Sequence, residues 1–209
     1  RSLSAGPDSF SDVISTLAPQ NWYKFNETSG TTLYDYGSVG VNGTYASGSY
    51  TLGDAGLTAT GDLAVGLTSS YEVNAPSSAT AWLRGASNYS SVTLFNSALR
   101  DGPAALYSLR VDSTTDQQIS AFIHTGDHMF IDDNTDREDT GIVVTEGKDY
   151  ALFVTKNGTA MTADLYDLAT QTSQTYSWTA FNTTIVNRVN TLTFGELNEG
   201  YGYHLDGVL

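Results

Sequence analysis

The groups best suited to chemistry in this chain are concentrated in one acidic stretch near its middle. Asp132, Asn134 and Asp136 stand there at alternate positions. Side-chain oxygens in this order match the ligand pattern of calcium loops, since Ca²⁺ takes hard oxygen ligands. An EF-hand loop also needs Gly at its sixth position and Glu at its twelfth, where this chain has Arg137 and Val143. The stretch therefore predicts either a calcium site of another kind or an ordinary charged loop.

A catalytic pair is harder to find. Glycoside hydrolysis uses two carboxylates about 5 to 9 Å apart, and on one strand they must stand at alternate positions to share a face. Glu196 and Glu199 come nearest, but their spacing places them on opposite faces. His124 and His128 are four apart, yet a zincin helix would have Glu where Thr125 stands. The residues around these histidines are typical of a strand and a turn, so the two side chains need not converge. We therefore predict no enzymatic activity.

Aromatic residues offer a surface on which a sugar could bind. The faces of Tyr and Trp rings pack against the apolar C–H groups of a pyranose as they do on other apolar surfaces. The three Trp residues stand in strand-like contexts, which assigns them to the core. Tyr89, Tyr201 and Tyr203 fall in or beside predicted loops. They are therefore the candidate carbohydrate contacts.

Composition limits the partners. The chain of 209 residues has 23 Asp and Glu against 9 Lys and Arg, for a formal net charge of −14. Nucleic acids and anionic membranes are bound by clustered cations, so the composition argues against both. The absence of cysteine excludes disulfides and thiol chemistry. No apolar run reaches the roughly 20 residues that cross a bilayer, so membrane insertion is not expected.

Helical spacing is confined to the beginning of the chain. Apolar residues run at that spacing from Phe10 to Leu17, and Pro19 ends the run. From Gln20 onward, short apolar runs alternate with Gly, Asn, Asp and Ser, which is typical of antiparallel sheets. We therefore predict a linker and short helix over residues 1–19 and one β domain over residues 20–209. The predicted strands are Asn21–Phe25, Thr80–Arg84, Ser91–Phe95, Ala105–Val111, Gln117–Ile123, Ile142–Thr145, Tyr150–Thr155, Met161–Tyr166, Gln174–Trp178 and Thr191–Gly195.

One turn can be assigned from its residues. Asn157 and Gly158 form the pair that type I′ hairpins prefer, and they separate two of the predicted strands. About ten strands in this length imply two packed sheets.

The most specific resemblance to a known family begins at Trp22. The segment Trp22–Gly30 reads Trp-Tyr-Lys-Phe-Asn-Glu-Thr-Ser-Gly, and it is followed by Asp35 and by the Asn-Gly-Thr-Tyr stretch of Asn42–Tyr45. These features resemble the laminin-G-like branch of the concanavalin A-like lectin/glucanase superfamily, of the kind found in phage and viral structural proteins. Residues 98–140 have no clear counterpart there. Weaker matches follow in the same order at Ala81–Leu83, Glu146–Leu152, Leu192–Gly195 and Tyr203–Leu209.

The resemblance implies an all-β, two-sheet antiparallel jelly-roll sandwich, preceded here by one short N-terminal helix. It also implies a structural Ca²⁺ between the first turn and the closing strand, held by Glu27, Asp35 and Asp206; the alternative is that these acids cap turns. Family members continue the closing strand with further residues, so the chain is expected to be part of a longer polypeptide.

The leading functional prediction is a lectin-like binding or structural module of an exposed virion protein, such as a head decoration, spike or fibre. Its partner would be a glycan, a cell-surface polysaccharide or a neighbouring structural subunit, and homo-oligomerisation stays open. The predicted location is the virion surface or the extracellular space. A secreted or cell-surface prokaryotic adhesin domain and an atypical glycoside hydrolase are the alternatives.

Overall fold

A computed structural model of the chain describes residues 10–45, 50–54, 64–67, 73–76, 78–97, 103–111, 118–134, 136–185, 189–195, 205 and 207–209. Within these ranges no helix is long and apolar enough to cross a membrane. The helix α1 covers Phe10–Thr16. The strands are β1 (Thr32–Leu33), β2 (Gly43–Tyr45), β3 (Tyr50–Asp54), β4 (Ala64–Leu67), β5 (Val73–Ala75), β6 (Asn88–Ser97), β7 (Ala104–Val111), β8 (Gln118–His124), β9 (His128–Asn134), β10 (Asp136–Val143), β11 (Asp149–Asn157), β12 (Ala160–Asp167), β13 (Thr172–Thr179), β14 (Val189–Phe194) and β15 (Gly207–Val208).

The strands form two antiparallel sheets. The first has the strand order β1-β2-β5-β14-β7-β8-β9-β10, and the second has the order β13-β12-β11-β6-β15-β4-β3. Their facing sides enclose one hydrophobic core. The predicted fold class, a two-sheet antiparallel jelly-roll sandwich with one short N-terminal helix, is thereby confirmed.

The alternation of buried and more exposed side chains along the strands produces this core. In β12, Met161, Ala163 and Leu165 are buried while the residues between them are partly exposed, because successive side chains of a strand point to opposite faces. Burying one large apolar side chain contributes about 1.5–3 kcal/mol. The largest fully buried side chains between the sheets are Leu33, Phe95, Leu106, Ile123, Met129, Ile131, Leu152, Met161, Leu165 and Ile185.

The predicted hairpin joins β11 to β12, but its turn lies one residue further on. Asn157 pairs with Ala160, which leaves Gly158 and Thr159 as the loop. Gly158 has a φ of 60°, whereas the φ of Thr159 is not positive. Type I′ requires positive φ at both loop residues, whereas type II′ requires it at the first alone, where Gly is preferred. The type I′ assignment is therefore wrong, and the glycine position favours type II′.

Two predicted strands are absent from the described structure. Over 21–25 the chain makes only an isolated bridge from Tyr23 to Asp35, and Phe25 has a φ of 55°, which interrupts an extended conformation. Over 80–84 it forms a 3-10 turn, closed by a 2.9 Å hydrogen bond from Leu83 N to Thr80 O. Both segments have strand-like composition, but they bond to loops and not to a neighbouring strand.

Candidate ligand-binding face of the first sheet

The side of the first sheet that faces away from the core carries a row of polar residues. Ser108 lies opposite Ser120, Ser120 opposite Asp132, and Asp132 opposite Arg137. Residues directly opposite one another on neighbouring strands share a face of the sheet. One polar residue from each of the eight strands therefore lies on a single line across this outer face. The row continues from Ser108 as Thr193, Asn74, Thr44 and Thr32.

A second row of residues, with two phenylalanines at its centre, lies next to the polar row. Ala105, Phe122, Phe130 and Asp139 are opposite one another on β7 to β10. The rings of Phe122 and Phe130 stack with their centroids 5.5 Å apart. Phe122 is fully buried and Phe130 is partly exposed. With Ala105 they form an apolar cluster separate from the core.

Arg137 and Asp132 form a two-pronged ion pair beside these rings. Arg137 Nε donates to Asp132 Oδ1 at 2.9 Å, and Nη2 donates to Oδ2 at 3.2 Å. Ser120 Oγ donates to the same Oδ2 at 3.1 Å. The guanidinium lies 5.1 Å from the Phe122 ring centroid, within cation–π range. Because the Asp132 side chain is 5% exposed and that of Arg137 is 52% exposed, the guanidinium is the partner that meets solvent.

Strand pairing places two histidines on this face, although their spacing in the sequence did not predict that they converge. His124 and His128 lie opposite each other on β8 and β9. His128 Nδ1 is 3.0 Å from Asp139 Oδ1, and the His124 ring packs edge-on against Phe130 with a centroid distance of 5.5 Å. We name the whole arrangement the outer-face cluster: Ser120, Phe122, His124, His128, Phe130, Asp132, Arg137 and Asp139.

The predicted acidic loop is corrected to a hairpin. Asp132 lies within β9, Asn134 ends β9, and Asp136 begins β10. Both oxygens of Asp132 are occupied by Arg137, whose positive charge opposes a dication at the same place. The side chains of Asn134 and Asp136 lie outside the part of the structure that is described. Among the described residues no three His, Asp or Glu side chains are grouped to hold a metal ion.

The residues of the second predicted calcium site take part in separate local hydrogen-bond networks. Asp35 accepts hydrogen bonds from the backbone N–H groups of Trp22, Gly37 and Val41 and from the Asn21 amide, at 2.8 to 3.1 Å. These four bonds use the acceptor capacity of a carboxylate. This arrangement is the turn-capping alternative.

Glu27 is likewise committed to local hydrogen bonds. It accepts from Tyr34 N at 3.0 Å and from the Tyr45 hydroxyl at 2.6 Å, and it is 8% exposed. Asp206 lies outside the described residues. Glu27 and Asp35 thus already accept hydrogen bonds from the protein, which is the turn-capping alternative, and the calcium site stays a prediction.

The predicted sugar-stacking tyrosines do not form a described surface. Tyr89 lies at the beginning of β6, beside the preceding loop, and is 8% exposed, so its ring packs inside the sandwich. Tyr201 and Tyr203 lie outside the described residues. On the outer face, Phe130 is the partly exposed member of the stacked pair, and Phe122 is buried.

Local sequence does not predict the outer-face cluster as a whole, because its three strands are brought together by pairing. Alternation within β8 groups Ser120, Phe122 and His124 on one face. Their pairing with β9 and β10 depends on the turns after His124 and Asn134, which periodicity does not specify. In Gln118–His124, polar or aromatic residues alternate with Ile and Ala. This pattern is the signal that could have suggested a strand with one face in the core and a functional outer face.

Comparison with known proteins supports the fold and does not show a family. No protein-family model and no curated protein matches the chain. Among solved structures, a GH54 α-L-arabinofuranosidase matches 99% of this chain with a TM-score of 0.62 at 11% identity, over 50% of its own length. A Trypanosoma rangeli sialidase matches 88% of the chain with a TM-score of 0.59 at 10% identity, over 28% of its length. The enzymatically active domain of bacteriophage CBA120 tailspike protein 2 matches 87% with a TM-score of 0.52 at 12% identity, over 28% of its length.

These identities are low enough that the likeness concerns architecture. This chain spans half or less of each matched protein, so the activities of those proteins belong to larger molecules. The likeness therefore supports the antiparallel β-sandwich fold and no more.

Proposed function

We propose that this chain is a lectin-like module that binds a glycan through the outer-face cluster, as part of an exposed virion or extracellular protein. The observation that carries the proposal is the stacked Phe122–Phe130 pair, flanked by the Arg137–Asp132 ion pair and by His128 with Asp139. Sugar-binding sites combine an apolar ring face with a few fixed hydrogen-bonding groups.

The cluster provides both kinds of contact. The partly exposed Phe130 ring can pack against the C–H face of a pyranose. Arg137 bonds to Asp132 through Nε and Nη2, and its side chain is 52% exposed, so a guanidinium with five N–H donors is presented to sugar hydroxyl groups. The fixed ion pair orients these donors before any ligand arrives, which lowers the entropic cost of binding.

Charge selects the class of glycan. The guanidinium of Arg137 is neutralised by Asp132, and the whole chain carries a net charge of −14. A strongly negative protein repels sulfated and sialylated chains at long range. The expected ligand is therefore a neutral polysaccharide.

The test is a glycan array followed by titration of the best neutral glycan. Phe130→Ala should abolish stacking and weaken binding at least tenfold, about 1.4 kcal/mol, with the melting temperature recorded to detect unfolding. Phe181→Ala is the matched control, since Phe181 is a phenylalanine with 82% exposure outside the cluster. An array without any signal would overturn the proposal and would favour a purely structural module that contacts neighbouring subunits.

A glycoside hydrolase is the second candidate, because two carboxylates share the outer face. Asp132 and Asp139 are diagonal neighbours across β9 and β10. The backbones of such neighbours stand roughly 7–8 Å apart, so their carboxyl groups can reach the separation of about 5 to 9 Å that glycosidases use. Binding is favoured over hydrolysis since both acids already hold partners, Arg137 and His128. Release of reducing sugar by the protein, lost in Asp139→Asn while binding persists, would establish the hydrolase instead.

A further inference from the structure

β13 forms one outer edge of the second sheet and is exposed along its length. Among the described strands it pairs with β12 alone. All eight of its residues, Thr172–Thr179, stay in continuous register with β12. Six of the eight are exposed and the other two are partly exposed, so the strand meets solvent from end to end. At about 3.4 Å per residue this edge is roughly 27 Å long.

The backbone groups that point out of the sheet belong to alternate residues of β13. Ala180 N donates to Thr159 O at 2.8 Å, one position beyond the last strand pair. Hydrogen-bonded pairs alternate with non-bonded pairs along an antiparallel ladder, so Trp178, Tyr176 and Gln174 direct their backbone groups to β12. The N–H and C=O groups of the residues between them point away from β12. These residues are Ser173, Thr175, Ser177 and Thr179, and all four are exposed.

β13 lacks the features that keep a sheet edge from pairing. Edge strands are protected by charged side chains, by proline, by bulges or by short length. Thr172–Thr179 contains no charged residue and no proline. The other described edges are protected: β1 has two residues, the pairing of β3 shifts register, and β10 combines a register shift with four consecutive charged residues at 136–139. Among the described edges, that of β13 is therefore the one that is long, regular and uncharged.

Side chains on the other face of β13 fix the position of this edge. Gln174 lies opposite the buried Leu165, so it is on the face that meets the first sheet. Its amide accepts from Val143 N at 3.2 Å and donates to Val143 O at 3.0 Å. Tyr176 donates to Glu138 at 2.6 Å. These bonds tie β13 to β10 across the rim of the sandwich, so the edge is ordered before any partner arrives, which lowers the entropic cost of association.

We propose that β13 pairs antiparallel with β13 of a second copy of this chain, which joins the second sheets of two molecules into one continuous sheet. A two-fold axis places the same strand on both sides of such an interface. With the axis at Thr175, this residue lies opposite its own copy, and Ser173 lies opposite the partner's Ser177. The outward N–H and C=O groups then bond across the interface. Opposed Ser and Thr side chains add favourable cross-strand pairs.

The charge of the protein favours a second copy as the occupant of this edge. Each chain carries a net charge of −14, so two copies repel each other over most of their surface. β13 is a strip without charged side chains, where two copies can meet without like charges directly opposite. A foreign strand attracted by the net charge would be cationic, and β13 has no carboxylate to pair with it.

The test is sedimentation equilibrium of the 209-residue protein over a range of concentrations. One strand pair makes a small interface, so we expect a dimer with a dissociation constant of about 10 µM. Thr175→Pro removes an N–H that points away from β12, so it should block the edge and leave the β12–β13 ladder intact. Ser177→Lys keeps every backbone group and adds a charge at the edge. Each variant should weaken dimerisation by about tenfold or more, whereas Ser29→Lys, at an exposed serine outside β13, is the matched control and should not.

Salt dependence provides a second measurement. Raising the salt concentration from about 50 to about 500 mM screens the repulsion between the two anionic copies, so it should strengthen the dimer. Melting temperatures of all variants establish that each is folded, and no glycan is present, so the result is independent of the proposed ligand. An unaltered protein that stays monomeric at about 500 µM would overturn the proposal and leave the edge to a different partner. A dimer that persists in both β13 variants, or that weakens with salt, would place the interface elsewhere.

Discussion

Lys156 and Asp133 form an ion pair that joins the two sheets through the core. Lys156 Nζ in β11 contacts Asp133 Oδ2 in β9 and also donates to the backbone oxygen of Asn182 at 2.8 Å. The two side chains are 0% and 1% exposed. Burial above all, together with the negative charge of Asp133, raises the pKa of nearby Tyr107 to about 12. The interior at this point is a polar region within an otherwise apolar core.

Loss of one partner of this pair should be more harmful than loss of both. Lys156→Met leaves Asp133 charged and buried, so we expect the free energy of unfolding to fall by about 3–5 kcal/mol. The double variant Lys156→Met with Asp133→Leu should recover most of this loss, since no uncompensated charge remains. Denaturant unfolding measures both changes. Lys148→Met, which breaks an ion pair whose lysine is 44% exposed, is the matched control and should have a smaller effect. Equal losses in the single and double variants would contradict the argument.

Stability should decrease in acid through Asp167. The hydrogen bond from Lys148, followed by the backbone N–H of Thr170, lowers the pKa of Asp167 from 3.8 to about 2. A carboxyl with a lower pKa in the folded state contributes stability above its unfolded pKa and loses it as the pH falls through the folded value. We therefore expect Asp167→Asn to flatten the decline in unfolding free energy between about pH 4 and pH 2. Unfolding titrations of both proteins across this range provide the measurement, and parallel curves would refute the assignment.

The Gly158 turn gives a test of hairpin register. Gly158→Val places a β-branched residue at a φ of 60°, which should cost about 1–2 kcal/mol. Asn157→Val is the matched control, because Asn157 is the last strand residue and needs no positive φ. Thermal unfolding of the two variants distinguishes the turns: a type I′ turn centred on Asn157 and Gly158 would make both substitutions costly.

Asp35 should stabilise the fold without calcium. Its four hydrogen bonds hold the segments around Trp22, Gly37 and Val41 together, and hydrogen bonds to charged groups contribute about 1.5–3 kcal/mol each. We expect Asp35→Ala to lower the unfolding free energy by about 3 kcal/mol or more on that basis, with Glu146→Ala, an exposed acid, near zero. EDTA should leave the melting temperature of the unaltered protein unchanged. A lower melting temperature in EDTA would restore the calcium prediction.

The strands that alternation predicted well are those with a neighbour on both sides or a tight turn. The β11–β12 hairpin is the clearest example, since burial alternates along β12 and Gly158 supports the turn. Segments 21–25 and 80–84 have similar composition but no described strand partner, so they became irregular. A strand depends on its neighbour for hydrogen bonds, and the neighbour is not encoded in the local pattern.

The candidate site also combines features that follow from the local sequence with features that follow from strand pairing. Composition excluded disulfides and argued against nucleic acid, and the acidic stretch near residue 132 was recognised as unusual. In the fold, Asp132 pairs with Arg137 across a hairpin and with Ser120 on the neighbouring strand, and spacing along the chain does not specify either contact. Asp132 and Asp139 likewise stand on two neighbouring strands, so spacing along one strand cannot pair them.

The sequence by itself determined the all-β class, the short helix at the beginning and the positions of most long strands, because these follow from local periodicity and turn residues. Only the tertiary structure decided which residues stand opposite one another. Register is set by turn geometry and by burial of whole faces, and a shift of one residue would move every side chain to the other side. The cross-strand contacts of the outer-face cluster and the Lys156–Asp133 pair depend on register and on the packing of the sheets, and for this reason local periodicity alone could not specify them.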